Sequence, residues 1–185
     1  LVAASMVVVA ALVASTVIAL NAAWREREAR ESAERSAAIA TSVQGFMNEM
    51  FQAAMPEAAL GREISVREVV DQASLRLQHS PPEDPVVAAE SALALGHVNL
   101  SLGRIDQAKV LADSAIKTLA TQGKSADLSR FEAEILGLKV RAAKEADAQA
   151  EEGARALVQQ IRDRLGDESP IYYEASNLLG DILLR

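Results

Sequence analysis

Inside the second half of the chain Leu95-Gly96 recurs as Leu136-Gly137 and again as Leu179-Gly180. A second set of positions fixes the spacing: Ala108, Ala112, Ile116 and Leu119 return, each at the same offset, as Ala150, Ala154, Val158 and Ile161. The first and third Leu-Gly copies stand apart by twice that offset. Each set advances in steps of three and four, so it marks one face of a helix. A fixed period of this size means that one pair of helices is laid down repeatedly, each pair burying its apolar face against the next. Glycine inside a helix costs about 1 kcal/mol relative to alanine. Its recurrence at one register is therefore a packing device, a place where two helices must approach closely.

Composition agrees with stacked helices. Half of the 185 residues are hydrophobic and only 3% are aromatic, so the apolar mass is Ala, Leu and Val. This is an all-α composition. The formal net charge is −7, which argues against recognition of nucleic acid through phosphate contacts. There is no cysteine, hence no disulfide framework, thiolate nucleophile or Cys-based metal site.

The chain opens on "LVAASMVVVAALVASTVIAL", Leu1 to Leu20, a run without a charge. As a helix this run spans about 30 Å, the thickness of a bilayer core, so the sequence predicts a transmembrane helix over residues 1–22. A clipped signal peptide is the rival, disfavoured because neither an initiator Met nor a basic leader precedes the run. Trp24 would be an interfacial anchor. The chain starts on Leu, which implies that it begins inside a longer protein. Residues 23–56 then read as a juxtamembrane helix in which Glu26–Arg30 and Glu31–Arg35 form i, i+4 pairs. Its thin stripe of Ala29, Ala33, Ala37 and Ala40 fits either a solvated linker or a weak homodimer seam. Val43, Phe46, Met47, Met50 and Phe51 form a stronger stripe, ended by Pro56 and Gly61.

Residues 62–185 read as helical hairpins. Ser65-Val66-Arg67-Glu68 is a capping box, and Asp84-Pro85 is an N-cap followed by an N1 proline. The second of these opens a helix running to about Ser101, with another from about Ile105 to Leu119. In the first copy, Leu95 and Gly96 match the Leu-Gly of the tetratricopeptide repeat, Gly103 its turn glycine, and Ala108, Ala115 and Ile116 its second-helix positions. The region thus resembles that family in a long variant. It departs at Ala92, where the family favours Trp, at Asn99, where it favours Tyr, and at Lys144, which replaces the turn glycine of the second copy. The resemblance implies an α-solenoid whose first helices line a groove for a peptide or protein partner. In this sequence those positions are Leu93, His97, Leu100 and Ser101, then Glu134 and Arg141, then Asn177 and Asp181.

No motif for catalysis, cofactor binding or metal ligation is present; the two histidines, His79 and His97, are far apart in different settings. The order of segments carries a further resemblance. A lone transmembrane helix, then the Arg/Glu/Ala-rich helix, then the Phe46-Met47 and Met50-Phe51 cluster and "SVREVV" from Ser65 to Val70, then tetratricopeptide-like hairpins, resemble the region that follows the kinase domain in bacterial membrane-anchored serine/threonine protein kinases. That resemblance implies an upstream kinase domain using ATP and magnesium, none of it in these residues. It also implies one crossing of the inner membrane and an extracytoplasmic repeat domain acting as sensor or docking platform. The alternative is a membrane-anchored scaffold, envelope-assembly factor or transcription regulator without a kinase.

Overall fold

In the computed structural model all regular structure among the described residues is helical: α1 (Val2–Ala54), α2 (Val66–His79), α3 (Pro85–Ser101), α4 (Ile105–Leu119), α5 (Asp127–Lys144), α6 (Ala148–Leu165) and α7 (Pro170–Leu183). The structure describes residues 2–54, 65–123, 126–144 and 148–184. Pro56 and Gly61, expected to end the first long helix, lie outside them. The chain divides into two units, residues 1–40 and residues 41–185.

The first unit is helix α1 as far as Ala40. Most of the expected membrane span, residues 1–14 and Val17, has side chains outside the described set. Among the described residues no helix is long and apolar enough to cross a membrane. The single-pass inner-membrane location is corrected accordingly, and with it the extracytoplasmic placement and the membrane-anchor role of Trp24. Farther along, Arg30 pairs with Glu26 at 2.6 Å, both exposed. Such a pair is worth a few tenths of a kcal/mol to the helix.

The second unit begins with the end of α1 and holds the hairpins. Helix α2 starts where the capping box places it: Ser65 Oγ accepts from Glu68 N–H at 3.2 Å, and Ser65 N–H donates to Glu68 Oε2 at 3.0 Å. Two N–H groups that the first turn would leave without partners are thereby bonded. Asp84 caps α3 in the same sense, its Oδ1 accepting from Val86 N–H at 2.7 Å, with Pro85 fixing the first helical residue.

Helix α3 ends in a Schellman turn. Gly103 has φ +72°, its N–H donates to Leu100 O at 3.0 Å, and Arg104 N–H donates to Asn99 O at 2.8 Å. Only a residue without a Cβ takes that φ cheaply, which is why the chain reverses here. The side chain of Arg104 then pairs back to Asp71 on α2.

Helix α4 lays Ala108, Ala112 and Ala115, each without solvent exposure, into one core with Leu95 of α3 and Leu136 and Val140 of α5. At Gly96 an added Cβ would stand 2.7 Å from Leu136 Cδ2 and 3.6 Å from Leu111 Cβ. The glycine is thus a notch into which Leu136 fits. Full burial of a leucine contributes about 2 kcal/mol, which offsets the propensity lost at Gly96. A second core joins Phe131 and Ile135 of α5 to Leu157 and Ile161 of α6 and to Ile171, Ala175 and Leu178 of α7. Helix α5 therefore contributes to both, with Leu136 in one and Ile135 in the other.

Candidate functional site

Two concavities in the second unit involve residues expected to face a partner. The larger, about 620 Å³, lies between α4, α5 and α6. Its floor is apolar, with Ile116, Leu138, Val140 and Leu157, and both Gly137 and Gly153 open onto it. These glycines bring the helices close: an added Cβ would meet Ile116 Cδ1 at 3.2 Å at Gly137, and Leu138 Cδ2 at 3.0 Å at Gly153.

The groove has a polarity that follows from the helix register. Lys144, at the end of α5, pairs with Asp106, in the first turn of α4, at 3.2 Å. Helices α4 and α5 therefore run in opposite directions, and Ile116, three turns along α4, meets Gly137 of α5. Lys109, Arg141 and Lys144 consequently collect at one end, while Ile116 and Glu134 lie towards the other. Lys109 is bonded to Asp113 and Lys144 to Asp106. Arg141 is exposed and has no ion-pair partner among the described residues. Glu134 pairs with Arg130 at 3.6 Å. Burial raises its pKa, against the lowering effect of Arg130 and Arg164.

The smaller concavity, about 340 Å³, is lined by Val43 of α1, Leu93 and His97 of α3, and three carboxylates: Glu90 on α3, Glu132 on α5 and Glu174 on α7. Glu174 is engaged by Lys139 at 2.6 Å. Glu132 has its pKa pushed up to about 7, first by burial, then by the negative charges of Glu90 and Glu174. His97 is lowered by burial and by the Lys139 ammonium, with Glu174 acting in the other direction. The end of α1 closes one side here, where Phe46 and Met47 are half-buried against the first core.

The eight expected groove positions are thus distributed. Glu134 and Arg141 share the larger groove, Leu93 and His97 share the smaller cavity, and Leu100, Ser101, Asn177 and Asp181 line neither. Leu93 is buried, only 4% exposed, and so contributes to the core as well as to the cavity wall. Lys109, Gly153 and Ala156 also line the larger groove and were not singled out by the sequence; Lys144 lines it too, and the sequence marked it only as the replacement of a turn glycine. Their signal was present in part, because Gly153 and Ala156 flank Ala154, the recurrence of Ala112 in the next hairpin.

Neither concavity joins a nucleophile to a base. Among the described residues no group of His, Asp and Glu side chains could hold a metal ion. What the larger groove offers is an apolar floor bounded by charged and amide side chains, an arrangement suited to a segment of polypeptide. No protein-family model matches the chain, nor does any curated protein or solved structure.

Proposed function

We propose that the chain is a protein-interaction module, a stack of tetratricopeptide-like helical hairpins that holds a peptide segment of a partner protein in the groove between α4, α5 and α6. The observation that carries this reading is the groove itself, about 620 Å³, apolar at its base and rimmed by charge. The regular recurrence of helix positions and the notch at Gly96 support the repeat assignment, since both are what stacked hairpins require. The part of the segment order that remains, the Phe46-Met47 cluster, the helix start at Ser65 to Val70 and then the hairpins, supports a place beside the catalytic domain of a bacterial serine/threonine protein kinase. In that setting ATP and magnesium belong to the kinase domain, and occupancy of the groove is the signal passed to it.

Both parts can be tested. Ala156 is exposed and lines the groove, so Ala156→Trp fills it without disturbing a core. Peptides selected by display against the full chain are expected to lose at least about tenfold in affinity on this variant, measured by fluorescence anisotropy. Undiminished affinity would place recognition elsewhere and overturn the reading. The kinase assignment requires the preceding coding sequence to specify a Gly-rich loop and a His-Arg-Asp catalytic loop; finding neither refutes it and leaves the interaction module standing alone.

A further inference from the structure

The polarity of the groove goes further than its shape. From it we infer that the partner is an amphipathic helix with an aliphatic face and acidic residues at one end, seated so that its acidic end lies against Arg141. This inference rests on the peptide-binding reading above.

Three features of the site carry it. Ile116, Leu138 and Leu157 form an apolar floor between α4 and α6, and Gly137 and Gly153 leave the backbones of α5 and α6 low on its sides. Such a trough accepts side chains at i, i+3, i+4 and i+7 of a helix, the spacing at which a helix presents one face. Charge then orients the guest. Lys109, Arg141 and Lys144 gather at one end, and two of the three are already bonded to carboxylates of α4. Of these three, Arg141 is the one with no ion-pair partner among the described residues. A planar guanidinium binds a carboxylate through two parallel hydrogen bonds, so it selects an acidic side chain or chain terminus.

The setting sharpens the selection. The whole chain carries −7, so an acidic guest approaches a surface whose net charge repels it. At physiological ionic strength the Debye length is about 8 Å. Repulsion from distant carboxylates is therefore screened, while contact with Arg141 is kept. At the other end the lining side chains are Gln160 and Glu134, to which Arg130 is already paired at 3.6 Å, so no unpaired cation lines that end. One orientation of the guest is favoured in consequence.

The test uses two helix-forming peptides, each about four turns long, with the same leucine-rich face, one ending in Glu and Asp, the other in Lys at the same positions. Both are titrated into the full chain and read by anisotropy. The acidic peptide should bind at least about tenfold more tightly. Arg141→Glu should reverse that preference, and Ala156→Trp should abolish binding of both while leaving the circular dichroism spectrum unchanged. Equal affinity for the two peptides, lost in both on Ala156→Trp, would overturn the acidic preference while upholding the groove as a peptide site. Absence of binding by either peptide, or binding insensitive to both substitutions, would overturn the inference; the insensitive case alone also moves the peptide site away from this groove.

Discussion

The three glycines of the recurring Leu-Gly dipeptide each follow a leucine inside a helix but meet different surroundings in the fold, so one substitution should have three outcomes. Alanine at any of them gains about 1 kcal/mol of helix propensity. At Gly180 an added Cβ meets nothing within 4 Å, and the whole gain should appear as stability. At Gly137 the Cβ comes 3.2 Å from Ile116 Cδ1, the tip of a half-buried side chain at the groove, which can give by a few tenths of an ångström. The gain should be cancelled there. At Gly96 the Cβ falls 2.7 Å from Leu136 Cδ2, and Leu136 has no exposed surface through which to retreat. Overpacking of this kind costs about 1–3 kcal/mol, so Gly96→Ala should be a net loss of about 1 kcal/mol. Urea denaturation of the full chain measures all three, and thermal melts should spread by several degrees, at about 2–4 °C per kcal/mol for a chain of this size. If Gly96→Ala proved as stabilising as Gly180→Ala, the close approach of α3 and α5 would be refuted as the reason for the glycine.

Two further perturbations follow from the same geometry. Glu132 holds its proton to about pH 7 in the folded chain against an ordinary value of 4.5, so between those values the folded state binds more protons than the unfolded one. Stability therefore falls as pH rises through this window. Glu132→Gln should flatten that slope and, after discounting for solvent screening of a half-buried group, add about 1–2 kcal/mol at pH 8, in unfolding curves taken from pH 4.5 to 8. A steeper slope in the variant would contradict the burial and repulsion assigned to this carboxyl. Gly103→Ala forces a Cβ into φ +72° and should cost about 1 kcal/mol, visible as a lower urea midpoint with an unchanged slope.

Much of the hairpin geometry could be read from local chemistry. The caps at Ser65 and Asp84 and the reversal at Gly103 depend on residues within three or four positions of each other, and each forms the bonds its spacing implies. The notch at Gly96 was legible as a close approach, although its occupant, Leu136 from the following hairpin, was not. Site residues were harder for the same reason. Repeat register places Leu93 and Glu134 at equivalent positions, two before each Leu, yet Leu93 faces the cavity beside α1 and Glu134 the groove beside α6. Those addresses depend on which helices pack alongside, which a period in one chain does not encode. The opening apolar run shows the opposite hazard. Hydropathy from Leu1 to Leu20 pointed to a bilayer, whereas among the described residues no helix meets the length and apolarity of a span.

The seat of Leu136 on Gly96 also works as an indexing pin. One turn away along α3 on either side, about 5.4 Å, stand Ala92 and Leu100, each with a side chain where Gly96 has none. Helix α5 can therefore dock on α3 at one axial setting, and sliding by a turn would drive Leu136 into occupied space. Because α5 also carries Ile135 into the core shared with α6 and α7, that single setting is handed on to the remainder of the stack. A slip of α5 along α3 would therefore have to unseat Leu136 from Gly96 first.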